Sequence, residues 1–528
     1  MKHLKALNKY FWKYRWLFFL GIVFIILSNY FRIVSPQVTG YVVNAVEHEL
    51  RDSVKKKDPP VVLTVEESVK KVKRDTSNYD ILVKEFITRV ESSAVISFGR
   101  KILFCGLVLM AAALLSGFFT FLMRQTIIVM SRHIEYDQKN EIFRHYQVLD
   151  THFYKTHSTG DLMSRMAEDV SRVRMYTGPA IMYLINLVAL IGFSLFYMFQ
   201  KNWELTLYVL TPLPILAVTI YFVNNVINKR SENIQAQLSD LTTNAQESYS
   251  GIRVIKSFVQ EKAMLGFFET NSEKYKNSAV NLAKVEAIYF PSIALLIGLS
   301  TLLTILIGGF YQISNKISAG TIAEFVVYIN MLAFPVSAIG WVASMIQRAS
   351  ASQKRLNEFL DTVPVIKNTQ GAVQHILKGD IEFRNVNFTY GHTGIKALTD
   401  FNLKINKGEK VAIIGRTGSG KSTIAQLLLR MYDPGSGEIL MDGVNIKNID
   451  LRSLREQVSY VPQDVFLFSD TVANNIRFGT SAAGYDKVEN AAVHASVDKE
   501  VQQFSARYET VIGERGVTLS GGQKQRLS

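Results

Sequence analysis

A single cysteine in 528 residues, Cys105, leaves no partner for an intrachain disulfide and no thiolate set for a zinc or iron–sulfur site. Charge is thin as well. Charged residues make up 20% of the chain against 48% apolar, which is too greasy for several ordinary soluble domains and too apolar for a disordered or fibrous protein. The fold must rest on packing, lipid and ligand.

The net charge of +14 invites a nucleic-acid reading, but its distribution argues against one. From Gly379 to Ser528 there are 18 basic and 17 acidic residues, so almost all of the excess lies before residue 379, beside the long apolar runs. Six runs reach the ~20 apolar residues that cross a bilayer: Trp16 to Val34, Ile102 to Met123, Met175 to Gln200, Leu205 to Asn228, Ala287 to Asn315 and Phe325 to Gln347. Only the first holds a charge, Arg32, and six such runs cannot all be core helices of a soluble protein. The first is no cleaved signal peptide, because it exceeds the ~7–15 residue apolar core of such peptides and continues into Asn29, Tyr30, Phe31 and Arg32 without a small-residue cleavage site.

Basic residues collect on the cytoplasmic flanks of spanning helices. Between the first two spans, Val46 to Lys101 carries 12 basic and 10 acidic residues, and the short connectors pair Lys201 with Glu204 and Lys316 with Glu324; these three segments are expected outside. The basic excess falls on the N-terminus (Lys2, Lys5, Lys9, Lys13, Arg15) and on the connectors Arg124 to Arg174 and Lys229 to Glu286. Both termini are therefore expected in the cytoplasm. The two long connectors, polar and poor in helix breakers, are expected to continue the spans as helices into the cytosol. In the outer segment Val65, Val69 and Val72, then Leu82, Phe86 and Val90, recur at helical spacing after Pro59 and Pro60. That pattern predicts a small helical insertion at about 46–100, with a solvated loop as the alternative.

After Arg348 the texture changes to short β-rich runs separated by turns, the alternation of an α/β domain. Val411-Ala412-Ile413-Ile414 reads as a short buried strand. It is followed by Gly415-Arg416-Thr417-Gly418-Ser419-Gly420-Lys421-Ser422 and a helical run from Thr423 to Met431. This is the phosphate-binding loop G-x-x-x-x-G-K-S. Its glycines let backbone amides close round phosphates, Lys421 reaches the β and γ oxygens, Ser422 ligates magnesium, and the helix N-terminus adds its dipole. ATP with Mg2+ is thus the expected ligand pair. The loop names the nucleotide and not the work done with it.

A second motif narrows the choice. In Leu519-Ser520-Gly521-Gly522-Gln523, Ser520 and Gln523 stand at capping-box spacing and the glycine pair lets amides face an anion at a helix start. With Lys524-Gln525-Arg526 after it, this stretch resembles the signature of ATP-binding cassette (ABC) proteins, and the chain is similar to type I ABC exporters of the multidrug or lipid type over nearly its whole length. The resemblance implies that Leu519 to Gln523 contact the nucleotide of an opposing cassette. It implies further that Tyr390 stacks on adenine, that Gln463 (in Tyr460-Val461-Pro462-Gln463-Asp464) is a Q-loop magnesium ligand, and that Glu514 (in Thr510 to Gly516) makes a cross-domain contact. Thr159-Gly160-Asp161 and the stretch from Glu247 to Gly251 resemble the exporter coupling regions.

The expected architecture is a six-helix membrane domain over residues 1–358 with long cytosolic arms, a linker over 359–378, and a P-loop α/β nucleotide-binding domain over 379–528. Ile439-Leu440-Met441-Asp442 looks like an acidic Walker B strand end but precedes the signature and runs into Gly443, so a strand and tight turn is expected instead. Asn387-Phe388-Thr389 is a glycosylation triplet on the cytosolic side and expected silent. Asn29, Asn186, Asn224, Asn225, Asn330 and Arg32 are polar groups in or beside spans, open to either helix-to-helix bonding or substrate contact. No Walker B, catalytic glutamate or switch histidine follows before Ser528, so the chain as printed is expected to bind ATP and to hydrolyse it poorly, its C-terminal end cut short.

What the resemblance implies is ATP-driven export of a hydrophobic or amphipathic substrate by a half-transporter working as a homodimer or heterodimer in a bacterial inner (plasma) membrane. Two other readings stand beside it. One is a non-hydrolysing partner half of a heterodimer, the other an ATP-gated channel or receptor on the same frame.

Overall fold

The computed structural model describes residues 2–55, 79–92, 97–480, 483–513 and 519–528. The chain divides into two compact units, Met1–Gln147 with Gly160–Thr362, and Val148–Thr159 with Val363–Ser528. The division after Thr362 falls within the expected linker. The inclusion of residues 148–159 in the second unit has no counterpart in the sequence analysis.

Unit one is helical. A short 3-10 turn (Lys2–Leu7) leads to α1 (Asn8–Lys13), α2 (Arg15–Lys55), α3 (Ile81–Ser92) and α4 (Phe98–Val148). With α5 reserved for a helix of unit two, there follow α6 (Thr159–Lys201), α7 (Trp203–Ser250), α8 (Ile252–Ser257), α9 (Glu261–Ile313) and α10 (Ala319–Leu360). Among the described residues six helices, α2, α4, α6, α7, α9 and α10, are long and apolar enough to cross a membrane. The polar connectors do extend the spans as helix: α4 runs 51 residues and α9 runs 53. On α4 the large side chains Leu103, Leu107, Met110, Leu114, Phe118 and Phe121 stay exposed. An apolar stripe of that length is stable against hydrocarbon and not against water.

Proline sits inside five of these segments (Pro36, Pro179, Pro212 with Pro214, Pro291, Pro335), and α6 contains two π turns, Arg165–Asp169 and Tyr176–Ala180. Such breaks are tolerated where neighbouring helices cover the freed backbone groups. At the second π turn Gly178 lies so close to α4 that a Cβ would stand 2.6 Å from the Ser131 hydroxyl. The bundle core joins Ile33 of α2, Tyr197 and Met198 of α6, Leu205, Val209, Leu213 and Leu216 of α7, and Phe325, Tyr328, Ile329 and Leu332 of α10.

Of the polar residues flagged in the spans, Asn29 and Asn186 join two helices. Asn29 is buried and donates to the Asn186 side chain at 2.8 Å, tying α2 to α6, and Asn330 donates to the Val326 carbonyl of its own helix. Leu82, Phe86 and Val90 lie in α3 as their spacing predicts, although the buried residues are Val83, Ile87 and Val90, the first two packed with Val34, Val38, Tyr41 and Cys105. Val65, Val69 and Val72 lie outside the described residues.

Unit two contains α5 (Thr151–Thr156) and a four-stranded antiparallel sheet in the order β2-β1-β3-β4. Its strands are β1 (Ile381–Thr389), β2 (Lys396–Ile405), β3 (Ser436–Met441) and β4 (Val444–Asn445). The helices are α11 (Lys421–Leu428), α12 (Leu451–Glu456), α13 (Val472–Ile476), α14 (Tyr485–His494), α15 (Asp498–Val501) and α16 (Gly521–Leu527). The sheet and α11 share one core (Phe383, Val386, Phe388, Ile424, Leu427, Ile439). The helical part has its own (Leu467, Val472, Val488, Val497, Tyr508, Leu527).

Two expectations are corrected here. Val411 to Ile414 is not a strand: among the described residues nothing pairs with it, and Ile414 is 93% exposed. An apolar run is compatible with a buried strand but forms one only where a neighbour supplies the ladder. The helix after the P-loop ends at Leu428, three residues early, because Arg430 turns to φ 48°. The turn after Met441 is as expected. Asp442 (φ 52°) and Gly443 (φ 78°) join β3 to β4 in a two-residue hairpin, and no Walker B end is made there.

Burial opposes ionisation of the Asp442 carboxyl, but the amides of Lys378, Gly379 and Asp380 donate to it at 2.6–3.1 Å and His375 lies beside it, so it is held below the ordinary aspartate range. A depressed folded-state pKa contributes stability above the unfolded value of 3.8 and loses it as pH falls further. Asp442→Asn is therefore expected to lower the unfolding temperature of the cassette at pH 7, with the difference from wild type shrinking below about pH 4, as differential scanning fluorimetry across pH would read. In unit one, Gly40 of α2 and Gly320 of α10 cross backbone to backbone, and Gly320 N–H donates to Asn44 Oδ1 at 2.7 Å. A Cβ at Gly320 would stand 2.6 Å from the Asn44 side chain and closer still to the Gly40 carbonyl. Gly320→Ala is expected to destabilise the membrane unit by about 1–3 kcal/mol, measured as a lower melting temperature in detergent.

Candidate nucleotide site

The P-loop leaves the Val411–Ile414 segment at Gly415 and closes on α11. Gly418 and Gly420 both stand at φ 86°, the left-handed region that favours glycine, and a Cβ on Gly420 would run into the Ala397 carbonyl and the Leu398 side chain. Ser419 N–H donates to the Arg416 carbonyl at 3.1 Å, tightening the turn over Thr417 and Gly418. The Lys421 ammonium donates to the carbonyls of Gly415 (2.7 Å) and Arg416 (2.8 Å), which fixes its charge at the start of the loop rather than out in solvent.

Gly420 is the N-cap of α11 and contributes no side-chain acceptor. The amides of Lys421, Ser422 and Thr423 therefore begin a helix that no side chain caps, and a phosphate oxygen is the acceptor such an end selects. Ser422 opens the first turn beside the lysine. Its hydroxyl and the amide oxygen of Gln463 are hard oxygen donors suited to magnesium, which takes its remaining ligands from phosphate and water. Gln463 is exposed in the segment between α12 and α13.

Tyr390 follows β1. Its hydroxyl donates to Gln426 Oε1 (3.1 Å) and meets Thr423 Oγ1 (2.9 Å), both on α11, while its ring stands edge-on to Phe388, Tyr432 and His392. The ring is thus held at the P-loop helix by two hydrogen bonds and an aromatic cluster, a fixed platform against which a base can stack.

The signature loop is built differently. Ser520 caps α16, with Gln523 N–H donating to Ser520 Oγ (3.3 Å) and Ser520 N–H donating to Gln523 Oε1 (2.9 Å), a complete capping box. The Ser520 oxygen accepts there, which leaves its O–H free to donate to an anion. Leu519 and Leu527 pack into the helical core on either side, and Arg526 bonds the Ser496 carbonyl and Glu500, so Gly521 and Gly522 sit on an anchored turn. Glu514 lies outside the described residues.

Three structural residues escaped the sequence reading. Arg430 is 2% exposed, and its guanidinium bonds Asp433, the Lys447 carbonyl and the Lys367 carbonyl, clasping the end of α11 to the linker. Arg455 donates to the carbonyls of Leu429 and Arg430. Burial, with Arg430 nearby, lowers the Arg455 pKa from its usual value. Asp150 is the third. One oxygen caps α5 through Phe153 N–H (3.1 Å), and the other accepts from Val365 N–H (2.6 Å) and Ile366 N–H (3.1 Å). The ring of His152 stands 6.0 Å from that of His392, two residues beyond Tyr390. A sequence signal for Asp150 was there: an aspartate directly before a helical run is an N-cap.

Of the residues expected to couple the two parts, only Thr159 belongs to the 148–159 element. Gly160 and Asp161 fall in unit one, where Asp161 pairs with Arg165 at 2.7 Å, and Glu247 and Gly251 lie at the end of α7 in the same unit.

Comparison with known proteins follows the same division. Residues 18–336 match the family described as ABC transporter transmembrane region, and residues 398–528 match the family described as ABC transporter. A probable multidrug resistance ABC transporter ATP-binding/permease protein of Bacillus subtilis is 36% identical over 392 residues, 74% of this chain and 67% of that protein. The multidrug resistance-like ATP-binding protein MdlA of Escherichia coli is 33% identical over 400 residues (75% and 68%), and an ATP-dependent lipid A-core flippase of Pseudomonas aeruginosa is 33% identical over 428 (80% and 70%).

Asp150→Ala removes an N-cap and two linker acceptors at once. Amide hydrogen exchange at residues 151–156 and 365–366 is expected to quicken by about tenfold, corresponding to a loss of about 1–2 kcal/mol locally, while the P-loop amides keep wild-type protection.

Proposed function

Because this chain belongs to the ABC transporter family and is an integral membrane protein of the exporter kind, we propose that it is one half of a dimeric pump that uses ATP to move a hydrophobic or amphipathic molecule across the membrane. The observation that carries the reading is the uncapped N-terminus of α11, with Lys421 fixed beside it and Tyr390 pinned to the same helix, in a chain that also holds six spans. The names of the relatives, multidrug resistance proteins and lipid A-core flippases, support an amphipathic cargo.

In this reading the amides of Gly418 to Thr423 and the Lys421 ammonium bind the phosphates. Ser422 and Gln463 hold magnesium, which neutralises charge between the β and γ oxygens when bound. Tyr390 stacks on the base. The Ser520 hydroxyl and the Gly521 and Gly522 amides face away from their own helical core and donate to the nucleotide of a second half, so two halves are needed for a closed site. Closure of the paired cassettes shifts the membrane units from inward to outward opening, since a ligand that binds the closed state better moves the equilibrium towards it. The expected setting is a plasma membrane with the cassette in the cytoplasm.

Lys421→Ala tests this directly. The variant is expected to lose at least about tenfold in ATP affinity, and nucleotide-dependent uptake of an amphipathic fluorescent probe into inverted vesicles should fall to the level of empty vesicles. Retention of nucleotide-dependent uptake would overturn the reading. Flux that needs ATP binding without turnover would identify a gated channel instead.

A further inference from the structure

At the end of the membrane unit where α3 meets the bundle, three charged side chains from three segments are taken out of water together. Lys201, last residue of α6, is 7% exposed at its side chain and stands 3.2 Å from Glu324 Oε2 of α10, which is fully buried. The same ammonium lies 3.2 Å from the centre of the Tyr79 ring. The next residue, Asp80, is 8% exposed and fully bonded: Oδ1 accepts from the Tyr30 hydroxyl of α2 (2.7 Å) and from Leu82 N–H (2.9 Å), and Oδ2 accepts from the Tyr197 hydroxyl of α6 (2.7 Å). Its own N–H donates to Gln37 Oε1 of α2 (2.8 Å). Tyr328 donates to Glu324 Oε1 (3.1 Å), and Glu324 Oε2 sits where a Cβ on Gly40 would be 3.3 Å away. The Gly40–Gly320 crossing thus makes room for the carboxylate.

We propose that Tyr79–Asp80 and α3 form a latch that holds the outer ends of α2, α6 and α10 together, and that releasing Asp80 and the Lys201–Glu324 pair is the step that opens the outer mouth. The physical ground is the difference between the two states. In the closed state every charge has a partner in a dry site, and in the open state water solvates the same charges. A charged pair is therefore tolerated in both, whereas an apolar pair would favour the closed state alone and a lone charge would disfavour it. Removing one partner and replacing both should consequently shift the gate in opposite directions. The proposal rests on the reading that residues 46–101 lie outside, and on helix α3 covering Cys105, which is 1% exposed among Tyr41, Tyr79 and Val83.

That thiol is the only one in the chain and reports the latch without an added label site. The full chain in nanodiscs is treated with a membrane-impermeant maleimide, with and without ATP, as wild type, Lys201→Met, Asp80→Asn, the double variant Lys201→Met with Glu324→Leu, and Lys421→Ala. Without nucleotide, Lys201→Met and Asp80→Asn are expected to label about tenfold faster than wild type, and the double variant no faster than wild type. The reversal in the double variant separates latch release from loss of fold. ATP is expected to accelerate wild type and to leave the double variant slow. If Lys201→Met and Asp80→Asn label at the wild-type rate, or if the double variant labels as fast as Lys201→Met, the latch is wrong. Failure of the exporter reading shows elsewhere, as an ATP effect that survives in Lys421→Ala or is missing in wild type, and leaves the nucleotide-free comparison intact. Labelling of Cys105 from only the inner face of sealed vesicles would overturn the assignment of this end as outer, and the latch with it.

Discussion

Hydrocarbon offers no partner to a backbone N–H or C=O, and most of unit one follows from that single fact. It makes every crossing a helix, and it lets one stripe of α4, Leu103, Leu107, Met110, Leu114, Phe118 and Phe121, stay exposed while Cys105 and Ala112 are buried. It also decides how polar side chains behave. Asn29 and Asn186 bond each other across two helices, Ser28 meets Ser116 and Thr120, and Ser300 reaches the Val209 carbonyl at 2.5 Å. Each contact joins elements that apolar packing alone would leave free to slide, because lipid tails pack against leucine as well as another helix does.

Unit two obeys the opposite rule, since water competes for every polar group, and there carboxylates do the joining. Asp442 gathers three successive amides at the edge of the sheet, and Asp450 caps α12 through Ser453 N–H while bonding the Asn368 side chain. Asp150 serves α5 and the linker at once. A carboxylate accepting backbone amides is stabilised in its charged form, and each of these sites binds a loop that has no regular structure of its own. Asp80 likewise joins segments at the α3 end of unit one, accepting from two tyrosine hydroxyls and Leu82 N–H in place of a run of loop amides.

This difference explains what could be read in advance. Length and apolarity are additive along the chain, so the six apolar helices and their polar helical extensions were legible residue by residue, and the P-loop pattern is confined to Gly415 through Ser422. The two-residue turn at Asp442 and Gly443 was legible for the same local reason. Pairing was not. Val411 to Ile414 has the composition of a strand, yet strand formation depends on a neighbour that no local pattern names. The partners of Arg430 are at Asp433, Lys447 and Lys367, and those of Asp80 at Tyr30, Gln37 and Tyr197, up to 117 positions away. Resemblance pointed to Thr159, Gly160 and Asp161; the 148–159 segment of unit two ends at Thr159 and is tied to the linker by Asp150, whose partners at Val365 and Ile366 lie 215 and 216 positions away.

The two glycine-bearing helix starts, at α11 and α16, differ in how their first amides are satisfied. At α11 the N-cap is a glycine, so the first amides depend on whatever anion arrives, and the helix gains stability on binding. At α16 the capping box already satisfies Ser520 N–H and Gln523 N–H, so that turn is rigid without a ligand and offers only the Ser520 O–H and the amides between. A site whose geometry is set in advance loses little entropy on docking. The signature turn is thereby suited to sense a phosphate already held elsewhere rather than to capture one from solution.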